Sequence, residues 1–190
     1  IRQRLWRIRS KKVILTTGAI ERPLIFPGND IPGVMLSTSA LEFYKLYGVL
    51  PGDRIVVVTN NDSAYLAAIN LHDAGLSVPV IVDVRDKSNG DLPREAISKG
   101  IRIEYGKAIS QVIGNKKVKA VELCSLKGEG SSQETIYCDS IIMSGGWSPT
   151  LHLWSHCGGK LIWYNNLDTF LPDALGPPID EDGEAFISVA

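Results

Sequence analysis

Arg54-Ile-Val-Val-Val-Thr-Asn-Asn-Asp-Ser-Ala-Tyr65 is the passage from which the rest of the chain can be read. Ile55 to Val58 is an unbroken β-branched apolar run, the text of a buried strand. Thr59-Asn-Asn-Asp-Ser63 is a polar turn, and Ala64 to Ala74 reads as a helix stopped by Gly75. A second apolar strand, Val78 to Val84, follows, interrupted by Pro79 near its start and by Asp83. Strand, turn, helix and strand make a βαβ unit of the length a dinucleotide fold uses.

Downstream, Leu92 to Lys99 reads as a short helix ending at Gly100, and Ile101 to Glu104 as a further strand. Ala108 to Ile113, Lys117 to Leu123 and Glu134 to Cys138 alternate as a small antiparallel meander, with turns at Gly114-Asn115 and Gly128 to Ser132. Ile141 to Met143 is another apolar strand, ending in Ser144-Gly-Gly146. Upstream, Val13 to Leu15 is a strand that runs into Thr16-Thr-Gly-Ala19, small residues suited to close approach of backbone to a ligand. Pro23, Pro27-Gly28 and Pro32-Gly33 mark an irregular stretch. Ser37 to Leu46 reads as a helix with Ser37 or Thr38 as its cap, ended by Gly48 and Pro51-Gly52. Arg2 to Arg9, with Leu5, Trp6 and Ile8 among basic residues and Lys11-Lys12 after them, suits a half-exposed strand.

The composition excludes several classes of function. With 44% hydrophobic and 22% charged residues the 190-residue chain is ordinary globular text. A net charge of -1 leaves no basic excess for a phosphate backbone or an anionic membrane surface. The three cysteines, Cys124, Cys138 and Cys157, form no CxxC pair and read as packing or surface thiols. No apolar run approaches the roughly 20 residues of a membrane span and no signal peptide is present, so a cytoplasmic location is expected. The opening at Ile1 and the close on the strand-like Ile187-Ser-Val-Ala190 suggest a fragment of a longer protein.

Within the βαβ unit, Thr59, Asn61 and Ala64 stand where a dinucleotide fingerprint would have glycines. A side chain at the middle position obstructs a pyrophosphate, while Ala at the last still permits helix packing. Asp83 ends the next strand, where an acid could accept ribose hydroxyls, and Arg85 is close by. Two readings stay open, a working nucleotide site and a degenerate unit kept as scaffold, and the second is preferred. Thr17 and Gly18 at a strand end offer a hydroxyl and backbone groups to a cofactor, and Arg22 a fixed positive charge, although an arginine there could equally brace a loop. His72 reads as a packed or surface residue. His152 and His156, spaced i, i+4 around Trp154, lack a third metal ligand. Trp147 could stack on a cofactor or plug a gap, and Asp180 to Glu184 reads as a solvated loop.

Six strings taken in order, Thr17-Gly-Ala-Ile-Glu-Arg-Pro23, Pro27-Gly-Asn-Asp30, Pro32-Gly-Val-Met35, Thr59-Asn-Asn-Asp-Ser-Ala-Tyr65, Leu71-His-Asp-Ala-Gly75 and Ser144-Gly-Gly-Trp-Ser-Pro149, carry a resemblance. The chain resembles the middle of the α subunit of heterotetrameric sarcosine oxidase, a two-dinucleotide-binding flavoprotein-type oxidoreductase. The resemblance implies an α/β fold, with a Rossmann-like βαβαβ domain plus meander at 52–144. This domain would be inserted into an incomplete FAD/NAD(P)-binding domain represented by 1–51 and 145–190. It implies NAD in this subunit, FAD and FMN in the partner subunit or at the interface, a tetrahydrofolate-binding domain downstream, and β, γ and δ subunits as partners. The implied reaction is oxidative demethylation of sarcosine to glycine with hydrogen peroxide, the one-carbon unit passing to tetrahydrofolate. Carried over residue by residue, Thr17, Gly18 and Ala19, with Arg22 after them, match the turn beside the nucleotide, and Gly145 and Gly146 the returning turn. No catalytic residue and no metal ligand is carried over. Related proline dehydrogenase, opine oxidase and hydrogen cyanide synthase subunits share the scaffold, and a non-catalytic module with a decayed site is the alternative of a different class. A dithiol reductase is excluded by the missing CxxC.

Overall fold

A computed structural model describes residues 3–189. In chain order its elements are β1 (Val13–Leu15), β2 (Ala19–Glu21), β3 (Val34–Leu36), α1 (Ser37–Tyr47), β4 (Arg54–Thr59), α2 (Ser63–Asp73), β5 (Ser77–Asp83) and α3 (Asp91–Ser98). There follow β6 (Ile103–Tyr105), β7 (Lys107–Gly114), β8 (Val118–Ser125), β9 (Glu134–Tyr137), β10 (Ser140–Ser144) and β11 (Trp147–Pro149). The last are α4 (His152–His156), β12 (Leu161–Tyr164), β13 (Thr169–Pro172) and β14 (Ile187–Val189). Two compact units divide the chain, Glu21–Gly146 and a smaller one formed by 3–20 with 147–189.

The larger unit is built on a five-stranded parallel sheet of order β3-β10-β4-β5-β6. Adjacent residues of a strand face opposite sides, so the Ile55 to Val58 run covers both. Ile55 and Val57 pack with Ile81 and Ile142 under α1, α2 and α3, through Ala40, Ala64, Tyr65, Ala68, Leu71 and Ala96. Val56 and Val58, with Val80, Val82 and Ile141, meet the meander β7-β8-β9 through Ile109, Val112, Val121, Leu123 and Ile136. Pro79 cannot donate to a ladder, and the register shifts where it lies, between Arg54 and Val56. Gly75, at a φ of 97°, ends α2 as expected.

The expected α/β class, the βαβαβ order and the antiparallel meander are all present. One expectation is corrected, and three features go beyond what the sequence signals. Gln3 to Arg9 forms no strand and lies exposed, because no other segment among the described residues offers it a ladder; Arg2 of that expected strand lies outside the described residues. The larger unit starts at Glu21, because the three apolar residues of β3 pair with Ile141, Ile142 and Met143 of β10. The Pro/Gly stretch before them also joins this unit: Phe26 is buried in its core, and the Val112 and Val118 amides donate to the carbonyls of Pro27 and Pro32. Between Gly146 and the closing strand-like run lie β11, β12 and β13.

In the smaller unit β1 and β14 pair in parallel, and Leu15, Ile187 and Trp154 of α4 form its buried cluster. Ala190, expected to continue the last strand, lies outside the described residues. Trp154 donates through its indole N–H to the Lys160 carbonyl, and its ring lies so close over Gly159 that a Cβ there would stand 2.5 Å from it. His152 and His156 therefore flank a packing residue, and no group of side chains among the described residues is placed to hold a metal ion. No helix among them is long and apolar enough to cross a membrane.

Ile81 is fully buried on β5, between β4 and β6, so Ile81→Ala is expected to lower the unfolding free energy by about 2–5 kcal/mol. Leu175→Ala, at a site 95% exposed, is expected to change it by less than about 0.5 kcal/mol. Urea denaturation followed by circular dichroism checks both.

Candidate functional site

In parallel α/β sheets ligands bind beyond the carboxyl ends of the strands, where chain direction leaves backbone groups and helix N-termini facing outward. In the larger unit that edge carries Thr59, Asp83, Ser144 and the start of α1. Its groups are already engaged with one another.

The Thr59 to Ser63 turn is closed by its own side chains. Thr59 Oγ1 donates to the Asn61 carbonyl (2.8 Å) and accepts from the Asn61 amide (3.1 Å). Asn61 Oδ1 accepts from the Ser63 amide (3.0 Å) and from its hydroxyl, while Asn61 Nδ2 donates to Ser144 Oγ (3.0 Å). An asparagine side chain thus takes an N-terminal amide of α2 that a phosphate oxygen would otherwise receive. Asn60 Nδ2 donates to the Gly145 carbonyl (3.2 Å), joining this turn to the one after β10.

Asp83 has no solvent exposure, and its carboxylate is fully occupied. The Tyr65 hydroxyl donates to it (2.7 Å), as do Arg85 Nε (3.0 Å), Arg85 Nη2 (2.7 Å) and the Arg85 amide (3.0 Å). Arg85 Nη2 also donates to Asp62 (2.6 Å), which accepts from Ser88 as well (3.0 Å). Burial first, and the Asp83 carboxylate second, push the Tyr65 hydroxyl's pKa upward. Hydrogen bonding to Asp83 does the same for Arg85. The acid expected near a ribose is held instead by a tyrosine and an arginine of its own unit.

Of the six candidate residues, three come together in the larger unit. The Arg22 amide donates to the Gly146 carbonyl (2.8 Å), and the Gly145 amide to the Arg22 carbonyl (2.7 Å). A Cβ on Gly145 would lie 2.8 Å from the Pro23 carbonyl oxygen, and one on Gly146, whose φ is 91°, would lie 2.8 Å from the Arg22 guanidinium. Both glycines are there because backbone and a cation occupy the space a side chain needs. Thr17, Gly18 and Ala19 belong to the smaller unit and are exposed. Thr17 Oγ1 donates to the Thr150 carbonyl (2.7 Å), and the Thr150 amide donates to the Gly18 carbonyl (2.9 Å). Gly18 has a φ of 65°, with open space where its Cβ would be, so its backbone can be approached.

Sequence reasoning missed Glu21. This carboxylate is 5% exposed and accepts from Ser37 Oγ (2.5 Å), the Thr38 amide (3.0 Å) and Thr38 Oγ1. It caps α1, where negative charge is favoured by the helix dipole. A Ser-Thr pair opening a helix signals capping, but local text gives no means of finding an acceptor 16 residues upstream. Cys138 is buried in the core, which pushes its thiol up to about 12, whereas Cys157 is exposed.

Over 177 residues the chain is 36% identical to the sarcosine oxidase α subunit of Corynebacterium sp. (strain P-1), covering 91% of this chain and 18% of that protein. The α subunit from Rhizobium meliloti (strain 1021) is 39% identical over 175 residues, 89% of this chain and 16% of that one. An opine oxidase subunit of Agrobacterium tumefaciens (strain Ach5) is 28% identical over 184 residues, 87% of this chain and 36% of that one. The chain thus spans less than a fifth of the length of the sarcosine oxidase subunits it matches. No protein-family model matches it. Among solved structures, T. acidophilum thioredoxin reductase superposes with a TM-score of 0.67 at 22% identity, covering 95% of this chain and 57% of that one. L-proline dehydrogenase from P. horikoshii gives 0.58 at 25% identity, covering 95% and 29%.

Gly145→Ala is expected to lower the melting temperature by several degrees, since the clash is with backbone, while Gly18→Ala costs only about 1 kcal/mol for its left-handed φ. Scanning calorimetry of the two variants checks the order. Alkaline pH gives a second test. Tyr65 stays protonated in the fold, so its contribution is complete below the ordinary tyrosine range near 10 and is lost as pH rises above it, where the unfolded chain ionises. Tyr65→Phe is expected to flatten the fall in stability above pH ~10, measured by urea titration across that range.

Proposed function

The chain is a relative of the sarcosine oxidase α subunits, and from that kinship we propose that it is a dinucleotide-binding segment of an amine-oxidising flavoprotein oxidoreductase. The observation that carries the reading is identity of 36–39% over nine-tenths of the chain, joined to a fold shared with FAD- and pyridine-nucleotide-dependent oxidoreductases. The finer reading is a sarcosine oxidase-like complex. It demethylates sarcosine oxidatively, with oxygen accepting the two electrons as hydrogen peroxide, releases glycine, and passes the one-carbon unit to tetrahydrofolate in a domain outside this chain. NAD is assigned to this subunit, FAD and FMN to the partner subunit or the interface, and β, γ and δ subunits are the partners.

Within the chain, Thr17, Gly18 and Ala19 are the proposed turn beside the dinucleotide. The open space over Gly18 supports this, since a nucleotide can approach peptide groups there without displacing a side chain. The division of labour follows from their chemistry: Gly18 offers close approach, Thr17 is anchored on Thr150 and fixes the turn, and Ala19 continues the chain with little bulk. Arg22, Gly145 and Gly146 are the proposed returning turn, with the Arg22 guanidinium supplying a fixed positive charge. A flavin would take the electrons of the amine C–H bond, and no residue of this chain is assigned a part in that step. Residues 1–51 and 145–190 are proposed as parts of the first dinucleotide-binding domain, with Val34–Leu36 now joining the sheet of the second. The 190-residue chain alone is proposed to be inactive.

A second reading keeps the scaffold and changes the amine. It is favoured by the likeness to the opine oxidase subunit and by the superposition on L-proline dehydrogenase.

Isothermal titration with NAD, of this chain and of a chain lengthened to the extent of its relatives, tests the cofactor assignment. Binding by the longer chain is expected, and Gly18→Val in it is expected to weaken that binding about tenfold or more, a loss of ~1.4 kcal/mol. Unchanged affinity with the fold intact would remove the turn from the site. Turnover of sarcosine, proline and opines by the assembled complex separates the two readings.

A further inference from the structure

The carboxyl edge of the larger unit has the layout of a second nucleotide site, and every polar group that would receive the nucleotide has a protein partner. Asn61 Oδ1 lies on the Ser63 amide at the start of α2, and Asn61 Nδ2 ties the same side chain to Ser144 across the sheet. Asp83, at the end of β5, is buried and receives the Tyr65 hydroxyl and the Arg85 guanidinium. Arg85 is itself shared with Asp62, next to Asn61 in the turn. A helix N-terminal amide and a strand-end acid are the two groups a dinucleotide fold offers, one to pyrophosphate and one to ribose.

We propose that this edge is a nucleotide site filled by the chain's own side chains, Asn61 standing in for the pyrophosphate and Tyr65 with Arg85 for the ribose hydroxyls. The edge formed by the Thr59 to Ser63 turn and the end of β5 accordingly takes no NAD(P), and the Asn61–Ser144 and Tyr65–Asp83–Arg85–Asp62 bonds hold it in the way a bound cofactor would. The physical reason is balance. A buried carboxylate needs donors and a helix start needs acceptors, so a unit that has lost its ligand must supply both or lose stability. Opening the site would leave Asp83 buried without its partners, a cost a weakly held nucleotide does not return. The inference stands on the Thr59 to Ser63 turn and the end of β5 alone, and is independent of the cofactor residues proposed at Thr17 to Ala19, Arg22, Gly145 and Gly146.

Hydrogen exchange read by mass spectrometry, on the 190-residue chain with and without millimolar NAD, NADH, NADP and NADPH, tests it. Peptides spanning 59–66 and 82–88 are expected to exchange at the same rate with each nucleotide. Protection there would overturn the proposal, whereas a change confined to peptides spanning 13–23 would bear only on the Thr17 to Ala19 assignment. Two variants test the internal ligands. Asn61→Ala is expected to accelerate exchange in the first turn of α2, and an unchanged rate would deny Asn61 its capping part. Arg85→Gln is expected to lower the melting temperature by about 5 °C or more, with no recovery on adding nucleotide. Should that variant fail to fold, Tyr65→Phe gives a smaller shift of the same sign. A wild-type melting temperature in Tyr65→Phe, or recovery of Arg85→Gln by nucleotide, would overturn the proposal.

Discussion

A parallel sheet with two apolar faces has to be covered twice, and the larger unit is organised around that demand. The β-branched run of β4 sends Ile55 and Val57 to one side and Val56 and Val58 to the other, so neither face can be left to solvent. Three helices close the first face and the antiparallel meander the second. Each fully buried Val or Ile contributes about 1.5–3 kcal/mol, which makes this sheet the anchor for every turn at its carboxyl edge. The turns matter functionally because the sheet fixes where Thr59, Asp83 and Ser144 end.

At that edge the chemistry has moved away from a ligand and toward self-sufficiency. A dinucleotide fold leaves its helix amides and its strand-end acid unmet until the cofactor arrives; here Asn61, Tyr65 and Arg85 meet them. The two glycine turns illustrate different uses of the same residue. Gly145 and Gly146 exist because backbone and the Arg22 guanidinium crowd them, which is a packing reason. A Cβ on Gly18 would meet nothing within 4 Å, so its left-handed backbone serves the turn and leaves room above it.

The order of elements was legible because apolar runs, polar turns and stop signals such as Gly75 and Gly100 are local features. The loss of the fingerprint glycines is legible too. What side chains do in place of those glycines was not, since the partners of Asn61, Asp62 and Asp83 sit 83, 23 and 18 residues away. Glu21 was hidden for the same reason. The strand at Val34–Leu36 is not legible because three residues between the Pro32-Gly33 turn and the start of α1 carry no period, and only the edge of β10 makes them a strand. Leu5, Trp6 and Ile8 misled in the opposite direction: their alternation suits a strand, but a strand needs a ladder.

The dinucleotide is proposed to lie on the Thr17 to Ala19 turn and not on the Thr59 to Ser63 turn, and the direct measurement is a crystal structure of the lengthened chain with NAD bound. NAD is expected against the peptide groups of Thr17, Gly18 and Ala19, with Asn61 still bonded to the Ser63 amide and Asp83 still held by Tyr65 and Arg85. A pyrophosphate on the amides of Ser63 and Ala64, with Asn61 swung aside, would contradict it.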